Sequence, residues 1–74
     1  MKDLYFEDKF GQKRLVKENI SDEELVGAEI VNYVKQLNPN YRIHYLRSWQ
    51  QEENTTVYDV GSHSEFFYLV EAGR

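Results

Sequence analysis

No cysteine occurs anywhere in the 74 residues. That absence excludes a disulfide framework, a thiolate metal site and a thiol nucleophile. It also fits a reducing compartment. Proline appears once and glycine four times, so the chain offers few break points and no Pro- or Gly-rich linker. No apolar run approaches the ~20 residues that a membrane-spanning helix needs. The start, MKDLYFEDKF, carries acids where a secretory leader needs an apolar core. Internal repeats and low-complexity tracts are missing as well. These absences lead us to expect one small, soluble, cytoplasmic domain over residues 1–74, with no membrane contact. A domain of this size buries roughly 60% of the surface its unfolded chain exposes. Small scaffolds without a disulfide or metal often depend on a partner chain.

Basic excess is lacking too. Nine Lys and Arg face 13 Asp and Glu, for a net charge of −4. Residues 1–20 carry +1, residues 21–38 carry −3 and residues 39–74 carry −2. An acidic chain disfavours sequence-independent binding to nucleic acid, which needs many phosphate contacts from Lys and Arg.

What the chain does have is aromatic side chains: six Tyr, four Phe and one Trp. Disordered segments are poor in these, so a packed fold is expected. Leu4 to Asp8 and Lys13 to Lys17 read as two strands around a turn at Lys9-Phe10-Gly11-Gln12. Ser21-Asp22-Glu23-Glu24 reads as a helix start. Ser21 and Glu24 have capping-box spacing, and Ile20 and Leu25 have the spacing of a hydrophobic staple. Val26, Ile30, Tyr33, Val34 and Leu37 then recur at helical intervals as one apolar stripe. Gly27 and Ala28 leave room for another element to approach. Asn38-Pro39 ends the helix.

Tyr41 to Trp49 reads as a third strand, followed by a polar loop at Gln50–Asn54. Thr55 to Val60 and Glu65 to Glu71 are the fourth and fifth strands. Phe66-Phe67-Tyr68-Leu69-Val70 is apolar on both faces, which suits a central, covered position or an interface. The expected fold is α+β: a single helix packed on an antiparallel sheet in the order ββαβββ. The last three strands are expected to form the sheet's centre.

Residues with chemical potential are few. Asp59, Ser62, His63 and Ser64 crowd one segment, but a Ser-His-Asp triad needs side chains converging from separated positions and an oxyanion hole. Turn chemistry explains the segment more simply. Gly61 supplies the turn, the serines satisfy backbone groups, and Asp59 accepts from a turn N–H. His44 and His63, with Asp59 and Glu65, match no metal motif of fixed spacing. No catalytic, cofactor or metal site is therefore expected. Tyr41 to Trp49 interleaves Arg42, His44 and Arg47 with aromatics. Such a strand suits single-stranded nucleic acid only if bases and aromatics share an open face. Lys9, Lys13, Arg14 and Lys17 would extend that patch, or simply protect a sheet edge.

The segment Thr56-Val57-Tyr58-Asp59-Val60-Gly61-Ser62-His63-Ser64-Glu65-Phe66-Phe67 resembles the ends of small uncharacterised proteins encoded by phages and prophages of Gram-positive bacteria. The resemblance spans these twelve residues and implies a small accessory product, with no activity to carry over. The sequence thus leads us to expect a non-enzymatic protein that binds another protein or its own copy, as a homodimer. The interaction residues would come from Arg42, His44, Arg47, Ser62, His63, Phe66 and Tyr68. The alternative is a nucleic-acid-binding module using Arg42, His44, Arg47 and the Lys13–Lys17 strand.

Overall fold

The computed structural model describes residues 1–40, 46–61 and 65–72. It contains one α-helix and a five-stranded, wholly antiparallel sheet in the chain order ββαβββ.

β1 (Lys2–Glu7) and β2 (Lys13–Ile20) form the first hairpin. Asp8 builds the turn. Its carboxylate accepts from the N–H groups of Phe10 and Gln12, at 2.9 and 3.0 Å. Gly11 takes φ 81°, which only glycine adopts at little steric cost. β2 runs three residues beyond the expected end and carries two register shifts against β1. At one of them Val16 is the extra residue, and it packs against the core. At the other, Asn19 has φ 58° and donates its N–H to Asp3 Oδ1 at 3.1 Å. Bulges of this kind bend an edge strand and discourage further pairing.

The helix begins differently from the expected capping box. Asp22, not Ser21, is the cap: its side chain accepts from the Glu24 N–H, at 2.9 Å. A single 3₁₀ turn (Glu23–Leu25) precedes α1 (Val26–Leu37). The Leu25 N–H closes onto the Asp22 carbonyl at 3.1 Å, leaving Ser21 outside the turn. Leu25 is exposed, so the staple with buried Ile20 does not form. Of the predicted stripe, Val26, Ile30 and Val34 are buried and Tyr33 packs at its margin. Leu37 is exposed at the helix end, where Asn38 takes an extended conformation before Pro39. The close approach expected at Gly27 is made by Leu46, whose Cδ2 lies 3.6 Å from where a Cβ would stand.

The third strand is also displaced. β3 spans Arg47–Glu52, and the predicted polar loop shrinks to Glu53-Asn54. Residues 41–45 of the predicted strand lie outside the described residues. The displacement follows from pairing with β4 (Thr55–Asp59), which sets Arg47 opposite Asp59 and Trp49 opposite Val57. β5 (Phe66–Glu71) completes the sheet.

The strand order is β2-β1-β5-β4-β3. β5 is the central strand, as its two apolar faces require, but its neighbours are β1 and β4. β3 therefore lies at an edge rather than in the centre. The cause is the full pairing of β1 with β5, which sets Leu4 opposite Leu69 and Phe6 opposite Phe67. Four successive antiparallel steps make the two edge strands, β2 and β3, run in the same direction. α1 carries the chain from one edge to the other across one face.

That face holds the core. Leu4, Phe6, Phe67, Leu69 and Val60 from the sheet side meet Val26, Ile30 and Val34. The rings of Phe6, Phe67 and Tyr33 stack at 5.0 to 5.9 Å between centroids. Burying each such side chain contributes about 1.5–3 kcal/mol. At the margin, Lys2 of β1 pairs with Glu23 of the 3₁₀ turn. That hydrogen bond raises the Lys2 pKa. Burial raises the hydroxyl pKa of nearby Tyr58.

Candidate functional site

Because side chains alternate along each strand, the residues between the core positions face away from α1. The pairing registers align them into rows that cross the sheet. One row reads Leu15, Tyr5, Tyr68, Val57, Trp49, one residue from each of the five strands. Every member is apolar or aromatic. The next row, in the same strand order, reads Lys13, Glu7, Phe66, Asp59, Arg47. Its charges run plus, minus, apolar, minus, plus, and they sum to zero.

The two rows interlock. β3 and β5 flank β4, so they stand about 9.6 Å apart. The Trp49 and Phe66 ring centroids are only 6.4 Å apart, edge to face. The rings therefore lean together over β4. Val57 beneath them is only 2% exposed, although among the described residues no helix covers that side of the sheet. On the other flank, the Lys13 ammonium lies 4.5 Å from the Tyr68 ring centroid. The Tyr68 hydroxyl donates to Glu7 Oε1 at 3.1 Å. Burial, followed by this hydrogen bond, raises the Tyr68 pKa. The row's outer members stay open to solvent, with Leu15 at 51% and Trp49 at 43% exposure.

Asp59 is a tightly held polar residue on this face. Only 4% exposed, it accepts from Arg47 Nε and Nη2 at 3.1 and 3.0 Å through one oxygen. Its other oxygen accepts from the Gly61 N–H at 2.9 Å. Gly61 has φ 93°. The turn expected at Gly61 thus begins as the turn chemistry predicts, with Asp59 as its acceptor. Both carboxylate oxygens are engaged in holding β3 and the turn. The Arg47 guanidinium also stands 5.8 Å from the Trp49 ring centroid.

Above the apolar row, Tyr5, Tyr68, Val70 and Thr55 floor a groove of about 420 Å3. Lys13 forms one wall, and Gln51 with Glu52 forms the other. A second cleft, of about 350 Å3, opens on the helix side at the end of α1. Phe6, Val34, Leu37 and Val60 line it, with Asp8, Arg14 and Glu65 at the rim. Asp8 is committed there to the hairpin turn. Among the described residues, no three His, Asp or Glu side chains cluster as metal ligands.

Of the residues singled out in the sequence, the structure brings Arg47, Phe66 and Tyr68 onto this face. Arg42, His44, Ser62 and His63 lie outside the described residues. Lys13 and Arg47 stand at opposite ends of one row. Arg14 lines the helix-side cleft instead, so the bases of β2 divide between two faces. Leu15, Tyr5, Val57 and Trp49 join this face without a local signal in the sequence. Strand alternation gives each residue its face, but joining them into one row requires the strand order.

No protein-family model matches the chain, and neither a curated protein nor a solved structure matches it. Among the described residues, no helix is long and apolar enough to cross a membrane.

Proposed function

We propose that this chain is a non-enzymatic accessory protein that acts by protein–protein contact, with the open sheet face as its contact surface. The observation that carries the reading is the apolar row Leu15-Tyr5-Tyr68-Val57-Trp49, which crosses all five strands without a charge. An apolar surface of that extent is what partner contact exploits, and aromatic residues are favoured at the centres of interfaces. The non-enzymatic part is supported by Asp59, whose acceptor capacity goes to Arg47 and Gly61. A phage or prophage origin rests on the resemblance over Thr56–Phe67. A cytoplasmic workplace is supported by the lack of cysteine.

Binding to single-stranded nucleic acid is the second reading. Cations above the Trp49 and Tyr68 rings favour it, because such binders stack bases on aromatics beside basic residues. Glu7 and Asp59 in the same row oppose it, and Arg47 already answers Asp59.

The chain has one tryptophan, and it sits in the row, so its emission separates the two readings. We expect single-stranded DNA and RNA to leave the emission unchanged at low salt. Salt-sensitive quenching by either strand would overturn protein contact in favour of nucleic acid.

A further inference from the structure

We propose that the turn of the first hairpin is a docking tip for an anionic lipid surface, where the Phe10 ring enters the headgroup region and Lys9, Lys13, Arg14 and Lys17 meet acidic phospholipids. Phe10 lies outside the apolar row of the open face, so the proposal goes beyond the protein-contact reading.

Charge is the first observation. Residues 8–17 hold four bases and one acid, for +3, whereas the rest of the chain holds five bases and 12 acids, for −7. All four bases are exposed. Among the described residues none of the four forms an ion pair, while Lys2 and Arg47 pair with Glu23 and Asp59. Glu7 stands opposite Lys13 but accepts from the Tyr68 hydroxyl. Arg14 faces the helix-side cleft, with Asp8 and Glu65 at the same rim. The acidic run Asp22-Glu23-Glu24 lies past the other end of the hairpin, beyond Ile20 opposite Lys2. Six residues of β1 at ~3.4 Å each separate the two ends by about 20 Å. That exceeds two Debye lengths of ~8 Å at physiological salt, so the acidic end is largely screened from whatever the tip approaches.

The ring is the second. Phe10 is 78% exposed, more than any other large hydrophobic side chain among the described residues. It belongs to no part of the core. The Lys9 ammonium stands 5.3 Å from its ring centroid. An apolar body beside a long charged side chain suits a membrane interface, where the ring sinks and the ammonium stays at headgroup level.

The backbone is the third. A turn that leaves water must satisfy its own polar groups. Here the Asp8 N–H donates to the Gln12 carbonyl at 2.9 Å, and the Gly11 N–H to the Asp8 carbonyl at 3.0 Å. The Asp8 carboxylate accepts from Phe10 and Gln12. The N–H groups of Asp8, Phe10, Gly11 and Gln12 are thus bonded within the turn. This favours lipid over nucleic acid, because backbone N–H groups are among the donors that hold phosphates, and these are taken. Surface binding needs no spanning segment, so the proposal departs from the expectation of no membrane contact, which rested on the lack of one.

The test is co-sedimentation with vesicles of phosphatidylcholine alone and of equal parts phosphatidylcholine and phosphatidylserine. Wild-type chain should sediment with the mixed vesicles, less so as salt rises, and stay in solution with phosphatidylcholine. Phe10→Ser and Lys9→Glu alter exposed positions, and circular dichroism verifies their fold. Each should bind the mixed vesicles about tenfold more weakly or worse, the first through the lost ring and the second through the reversed charge. Wild-type chain that stays in solution with the mixed vesicles would overturn the proposal. So would a variant of either kind that sediments like wild type. A chain that ignores vesicles but binds a single-stranded oligonucleotide through these two residues would assign the tip to nucleic acid and overturn it as well.

Discussion

Replacing Asp59 by Ala is the substitution that most sharply separates an anchoring carboxylate from a chemical one. Asp59 is buried, and its three hydrogen bonds tie together the edge strand β3, its own strand β4 and the turn at Gly61. Hydrogen bonds to a charged acceptor contribute about 1.5–3 kcal/mol each. The two from Arg47 must be discounted, because its side chain is 65% exposed and returns to water when released. The bond from Gly61 N–H keeps most of its value, since Asp59 is only 4% exposed. Together these give an expected loss of about 2–3 kcal/mol. For a domain of this size, that corresponds to a fall in Tm of roughly 10–20 °C. Urea and thermal unfolding would measure it. Arg47→Ala should cost less, about 1 kcal/mol or below. If Asp59→Ala unfolds within about 0.5 kcal/mol of wild type, the range of ordinary surface changes, or if Arg47→Ala costs more than Asp59→Ala, the anchoring account is refuted.

Three further expectations follow from packing and titration. Phe67→Ala should cost about 3–5 kcal/mol in urea unfolding, because Phe67 is fully buried between Phe6 and Tyr33. Gly27→Ala should stabilise the chain by about 0.5–1 kcal/mol through helix propensity, since among the described residues an added Cβ meets Leu46 alone, at ordinary contact distance; a loss in thermal unfolding would mean that the helix and its neighbours leave no room for a methyl group. Stability should hold through neutral pH and fall above about pH 10. Lys2, Tyr58 and Tyr68 all have raised pKa values in the folded chain. The folded state therefore holds protons more tightly, and the stability they confer is lost as pH rises through those values. Tyr68→Phe should remove part of that alkaline fall in a pH series of urea midpoints.

Much of the architecture was legible in the residues because local signals and burial agreed. The turn at Gly11, the stripe of Val26, Ile30 and Val34, and the doubly apolar β5 each carry their pattern within a few positions. The misread features are those where neighbours competed. Ser21 and Asp22 are both good caps, and the 3₁₀ closure of Leu25 onto Asp22 decides between them. The interleaved aromatics from Tyr41 onward suggest an earlier start for β3. Yet Arg47 and Asp59, of opposite sign on either side of Glu53-Asn54, carried the register of that hairpin. The open-face row was not legible, because Leu15 and Trp49 lie 34 positions apart and are joined only through the strand order. That order depends on β1 pairing with β5 across nearly the whole chain, a long-range choice that no local pattern encodes.

The central claim is that this chain works through its open sheet face, and residue-resolved NMR over a dilution series tests it most directly. The account predicts that concentration-dependent shifts concentrate at Leu15, Tyr5, Tyr68, Val57 and Trp49, with Lys13 and Glu52 at the margin. Shifts that gather instead around Val34, Leu37 and Val60 in the helix-side cleft would contradict it.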